Sequence, residues 1–206
     1  MRAMVVYESM YGNTGKVAQA LAAGLARYMS VDLVEVASAP AILPIDLDLL
    51  LVGGPTHRFG LSRAKSRADA VAWARNDGKD GPPAGVASAT RLGLRDWLKC
   101  HPSRQRRVPS VAFGTQFDRP RWLARFGTAA DAIEHCLLRV GMPLAAPKQL
   151  FYVKGLTGPL LDGEEERGTA WAAGLAAEIT GRSSEVLQRL AREHEQVLAA
   201  QRGGGN

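Results

Sequence analysis

Cysteine is nearly absent. Of 206 residues only Cys100 and Cys136 carry a thiol, and they lie far apart and outside any Cys-x-x-Cys or Cys/His spacing. Neither a disulfide framework nor a metal site is indicated, and both read as core or helix-face thiols. No apolar run approaches the roughly 20 residues that a bilayer-spanning helix needs, so no membrane partner is expected. The amino end, Met1-Arg2-Ala3, enters a strand-like segment without a signal-peptide pattern. A cytoplasmic location is the expectation. Aromatic residues are also scarce, at 6% of the chain. In the most basic stretch Phe59, Trp73 and Trp97 stand too far apart to form stacking platforms, which disfavours a nucleic-acid partner.

What is present is a chain of 46% apolar and 22% charged residues, long enough for one well-packed domain and short for two. Its net charge of +6 is regional. Arg58 to Arg107 holds twelve Lys and Arg against four Asp, a local +8 that leaves −2 for the remainder. Such a stretch suits either a solvated surface or attraction of phosphorylated nucleotides and acidic proteins.

The most informative motif is Ser9-Met10-Tyr11-Gly12-Asn13-Thr14, set between the apolar run Ala3 to Tyr7 and a helix-patterned segment, Thr14 to Met29. A turn of this composition aims backbone N–H groups and hydroxyls at one anion, and the following helix adds its positive dipole end. Hydrogen bonds to a charged group contribute roughly 1.5–3 kcal/mol each, so four or five donors hold a phosphate without Lys or Arg. Ser9 and Thr14 also fit simple helix capping.

Strand and helix patterns then alternate. Val17, Leu21, Leu25 and Met29 recur every four residues, Val31 to Val36 reads as a second strand, and Leu47 to Val52 as a third ending at Gly53-Gly54-Pro55. Ser62 to Arg75 and Ser88 to Lys99 look helical around a loop at Asn76 to Gly85. Val108 to Phe113 is the fourth strand, ending at Gly114-Thr115. Thr128 to Val140 is a helix, and Gln149 to Val153 a fifth strand. Gly163 to Thr180 and Ser183 to Gln201 read as two helices parted by Gly181, with Gly203-Gly204-Gly205 a frayed end. The alternation predicts an α/β fold with a parallel sheet covered on both faces. Ligands in such sheets bind beyond the carboxyl ends of the strands. That edge carries Glu8 to Thr14, Gly53 to Ser62 and Gly114 to Trp122.

These three segments resemble the flavodoxins. Ser9 to Thr14 is similar to their phosphate loop, Gly53-Gly54-Pro55-Thr56 to their second loop and Gly114-Thr115 to the opening of their third, over roughly Met1 to Thr180. The resemblance implies a doubly wound five-stranded sheet in the order 2-1-3-4-5. It also implies a domain over residues 1–181, with 182–206 an added helix and flexible tail. It implies FMN, its phosphate held by Ser9, Tyr11, Asn13, Thr14 and backbone N–H groups from Met10 to Thr14, with Gly12 in the turn. Pro55, Thr56, His57, Phe59 and Gly60 would flank one side of the flavin ring, and Thr115, Gln116, Phe117 and Trp122 the other. The chain departs from the pattern in lacking the usual Trp and Tyr of those loops and the acidic surface of the family, so the stacking aromatic and the protein partner stay open.

Other functions on this architecture fit less well. A phospho-receiver needs an acidic pair after the first strand, where Glu8 stands alone, and an Asp at the end of the third, where Gly53 stands. A small tyrosine phosphatase needs a cysteine in the first loop. Nucleophilic hydrolysis lacks a Gly-x-Ser-x-Gly elbow. The expectation is an FMN-binding electron carrier with a redox partner protein. The alternatives are an FMN-dependent NAD(P)H:quinone oxidoreductase whose basic stretch binds the nicotinamide nucleotide, and a flavin-free interaction module. The last helix, with Val186, Leu187, Leu190 and Leu198 on one side, suits packing on its own domain or on a second subunit, a homodimer.

Cations at Arg58, Arg63, Arg119 and Arg121 would favour the anionic reduced ring. Gly60 would allow a peptide flip that offers a carbonyl to the protonated nitrogen of the half-reduced ring, since glycine visits both backbone regions cheaply. Redox titration of Gly60→Ala is expected to change the separation of the two one-electron potentials; an unchanged separation contradicts the flip.

Overall fold

The computed structural model describes residues 1–56, 60–62, 93–100, 107–118, 127–155 and 158–203. The segments 63–92 and 101–106, which hold most of the basic stretch and one of the expected helices, lie outside the described residues. So does the amino part of the expected helix at Ser88 to Lys99, residues 88–92, while its carboxyl part is seen.

Five strands form one parallel sheet: β1 Arg2–Tyr7, β2 Ser30–Glu35, β3 Leu49–Pro55, β4 Ser110–Phe117 and β5 Gln149–Val153, in the order β2-β1-β3-β4-β5. The helices are α1 Asn13–Leu25, α2 Leu94–Cys100, α3 Ala129–Arg139 and α4 Glu164–Gly203. This is the predicted doubly wound architecture, and its cause is the burial of both strand faces. Ala3, Val5, Leu49, Leu51, Val111 and Phe113 point to the side covered by α1 and α4. Met4, Val6, Leu50, Val52 and Ala112 alternate with them and meet α2 and α3 through Leu94, Trp97, Ile133 and Leu137. A strand apolar at every position satisfies two cores at once, which is why these runs are continuous rather than alternating.

Two strand ends differ from the sequence expectation. β3 runs through Gly53, Gly54 and Pro55, and β4 through Gly114 and Thr115 to Phe117. The glycines serve close packing rather than turns. A Cβ on Gly53 would lie 2.2 Å from the Phe113 ring, one on Gly54 2.9 Å from Leu94, and one on Gly114 3.2 Å from the Ala130 backbone nitrogen. The break expected at Gly181 is also missing, because α4 is one helix of 40 residues. Gly181 keeps a negative φ, the Thr180 and Ser183 hydroxyls donate to the carbonyls of Ala176 and Ile179 at 2.7 and 3.0 Å, and Arg182 pairs with Glu178 across the junction. None of these residues stops the backbone ladder.

The chain passes from β1 outward to β2 and then to β3 on the other side of β1. The strand order therefore reverses between β1 and β3, and their carboxyl ends open a crevice. Registers Tyr7↔Gly53 and Pro55↔Thr115 bring the three expected loops to that edge.

One contact fixes α1 in place. Gly24 packs against α4 so closely that an added Cβ would lie 2.3 Å from the Thr169 carbonyl oxygen and 2.8 Å from the Ala172 Cβ. Alanine is ordinarily favoured over glycine inside a helix by about 1 kcal/mol, yet overpacking costs about 1–3 kcal/mol. Gly24→Ala is therefore expected to lower the thermal midpoint despite its better propensity, and a raised midpoint contradicts the packing.

Candidate functional site

The loop leaving β1 is short and mostly buried. Glu8 donates its N–H to the Gly53 carbonyl at 2.9 Å, which holds the loop against β3. Ser9, Met10, Asn13 and Thr14 are buried, while Tyr11 and Gly12 are half-buried at the surface of the edge. Gly12 is the residue before α1 and takes φ +85°, the left-handed region that glycine enters without a Cβ penalty. Its carbonyl accepts from Lys16 N–H at 3.0 Å, so the helix begins at once.

No side chain caps α1 at Gly12, and no acidic residue occupies its first turn. The amino end of the helix thus keeps its positive character. Capping does not account for Ser9 and Thr14 in the simple form. The Ser9 hydroxyl oxygen accepts from the Gly15 N–H at 3.2 Å, three residues into the turn, and the Thr14 hydroxyl shares a 2.8 Å hydrogen bond with that of Thr115. A hydroxyl has one hydrogen and two lone pairs. Ser9 therefore spends a lone pair on the protein and retains its hydrogen. Burial pushes the Tyr11 phenol up from its ordinary pKa, so it stays protonated at neutral pH and able to donate.

Further contacts brace the loop. Asn13 lies against Gly158, which has φ +97°; a Cβ there would meet the Asn13 side-chain nitrogen at 2.3 Å. Glu8, 3% exposed, accepts from the Ser62 hydroxyl and from the Leu94 N–H at 2.9 Å. Arg95 donates to the Leu61 carbonyl at 3.1 Å. Glu8 and Arg95 together clasp residues 61–62 to the start of α2. Sequence reasoning left Glu8 as a lone acid. A carboxylate directly after a buried strand is the one signal it carried, and its partners 54 and 86 positions away carried none.

The ring-side residues are partly placed. Pro55 ends β3, and Thr56 donates its N–H to the Thr115 carbonyl at 2.8 Å while its hydroxyl oxygen accepts from Ala129 N–H at 3.2 Å, supporting the start of α3. Gly60 is half-buried, and an added Cβ meets no described atom within 4 Å, so Gly60→Ala is a clean backbone test. Thr115 is 5% exposed, Gln116 intermediate, and Phe117 38% exposed at the end of β4. His57, Phe59 and Trp122, with Arg58, Arg63, Arg119 and Arg121, lie outside the described residues. The structure thus brings together the Ser9 to Thr14 loop, Pro55, Thr56 and Thr115.

A five-stranded doubly wound sheet in this strand order, with a glycine-turned, uncharged loop after β1, defines the class of flavodoxin-like proteins. The flavodoxin family model matches residues 5–170, and the chain belongs to the flavodoxin family. Solved structures agree on the fold. A flavodoxin from Streptococcus pneumoniae TIGR4 is 16% identical, with 86% of this chain and 99% of that one covered and a TM-score of 0.56. A flavodoxin from the domain Archaea is 15% identical over 87% and 99%, with a TM-score of 0.54. The rubredoxin oxygen:oxidoreductase of Desulfovibrio gigas is 18% identical over 87% of this chain and 36% of that one, with a TM-score of 0.51. No curated protein matches the sequence. Among the described residues no helix is long and apolar enough to cross a membrane.

Removing the Glu8 carboxylate strands two buried donors, each costing about 1–3 kcal/mol when unsatisfied. Glu8→Ala is expected to lower unfolding stability by about 2–4 kcal/mol in urea, and an unchanged midpoint contradicts the clasp.

Proposed function

We propose that this chain binds FMN and carries electrons. The observation that supports the reading is the start of α1, where a left-handed Gly12, a helix end without an acidic residue and a Ser9 hydroxyl that spends only a lone pair on the protein come together. That donor set fits a phosphate ester: it is uncharged, mostly buried and rigid, and it offers hydrogens rather than lone pairs. Ser9, Tyr11, Asn13, Thr14 and the backbone N–H groups from Met10 to Thr14 would hold the phosphate. Pro55, Thr56, Gly60, Gln116 and Phe117 would flank the ring, and His57, Phe59 and Trp122 would complete the expected set. When bound, FMN supplies one- and two-electron redox chemistry. The chain's own residues bind the ester, orient the ring and limit water on its buried side.

The carrier reading stands ahead of an FMN-dependent NAD(P)H:quinone oxidoreductase because no group for proton or hydride handling gathers at the described edge. Steady-state oxidation of NADPH with a quinone separates the two. The purified protein is expected to be yellow and to release a compound of FMN mass on denaturation. Thr14→Val is expected to weaken FMN binding about tenfold or more, the loss of one hydrogen bond to a charged group. A protein that stays colourless after reconstitution with FMN contradicts the reading.

A further inference from the structure

We infer that Thr115 is a positioning residue for phosphate binding that acts through Thr14. The inference rests on the reading that the start of α1 holds a flavin's phosphate ester. Both hydroxyls are buried, Thr14 at 1% and Thr115 at 5% exposure, with their oxygens 2.8 Å apart. The pair owns two hydrogens and one lies between the oxygens, so one is spare. When Thr14 donates to Thr115, the spare hydrogen sits in the interior on β4, and Thr14 offers only lone pairs to the loop. When Thr115 donates to Thr14, the Thr14 hydrogen is left for an anion at the helix end. An anion selects the second arrangement, and the donated bond polarises the Thr14 hydroxyl toward it.

The placement of Thr115 makes this arrangement rigid. Thr115 pairs in register with Pro55, and its carbonyl accepts from Thr56 N–H at 2.8 Å, so its hydroxyl stands on the sheet rather than on a loop. Thr14 is the second residue of α1, in the turn whose N–H groups face the loop. A donor fixed on a central strand therefore sets the rotor of a donor on the helix, which is what preorganised anion binding requires. Valine at 115 keeps the volume and removes the hydrogen.

The full-length chain is titrated with FMN and with riboflavin, which has the same ring and no phosphate. Thr115→Val is expected to weaken FMN binding about three- to tenfold while riboflavin affinity changes by less than about twofold. Thr115→Ser restores FMN affinity, and in a Thr14→Val background Thr115→Val has no further effect. Equal losses for both ligands, no loss for FMN, or a serine variant that behaves like valine overturns the inference. Thr115→Ala carries the same expectation if the valine variant does not fold. A wild-type chain that binds neither ligand overturns the FMN reading and this inference with it, whereas wild-type binding with an unaffected Thr115→Val removes Thr115 alone.

Discussion

The first N–H groups of a helix have no carbonyl within their own turn, and at α1 the residue before the helix, Gly12, has no side chain to cap them. Everything at the carboxyl edge of the sheet is arranged around this. Gly12 turns left-handed so that the chain enters the helix without a Cβ at the mouth, and Ser9 reaches forward to satisfy Gly15 from behind. Acidic residues, which ordinarily stabilise a helix start, are missing from the turn. A fold that needed only a well-capped helix would put one there. The arrangement leaves positive potential at the start of α1.

A cradle of neutral donors works only if it does not move, because each donor contributes little alone. Rigidity comes from three directions. Glycines on β3 and β4 let Phe113, Leu94 and α3 press directly on the strands. Gly24 seats α1 against α4, and Gly158 admits Asn13. Glu8 and Arg95 pin residues 61–62 to the start of α2. The Ser9 and Thr56 hydroxyl oxygens tie this scheme together by accepting from the Gly15 and Ala129 N–H groups.

Much of this was legible in the residues. Continuous apolar runs announced buried parallel strands, and the composition of Ser9 to Thr14 announced a tight turn into a helix at the carboxyl edge, because both depend on local composition. What stayed hidden depends on partners far along the chain. Gly53-Gly54 and Gly114 read as strand ends because glycine signals a turn and a close approach with the same letter, and only the position of Phe113 and Ala130 decides between them. Gly181 read as a helix stop for the same reason, although Thr180, Arg182 and Ser183 all bond back into the preceding turn. The Glu8 clasp and the Thr14–Thr115 bond join residues 54 to 101 positions apart, where no pattern in the chain points from one to the other.

The central claim is that the start of α1 immobilises the phosphate of FMN. Phosphorus-31 NMR of FMN titrated with the full-length protein tests it directly. The account predicts a separate, shifted and broadened resonance for the bound phosphate, whose position does not follow pH through the range where free FMN titrates. A phosphate signal that stays at the free position and titrates normally, while the flavin is bound by its ring, contradicts it.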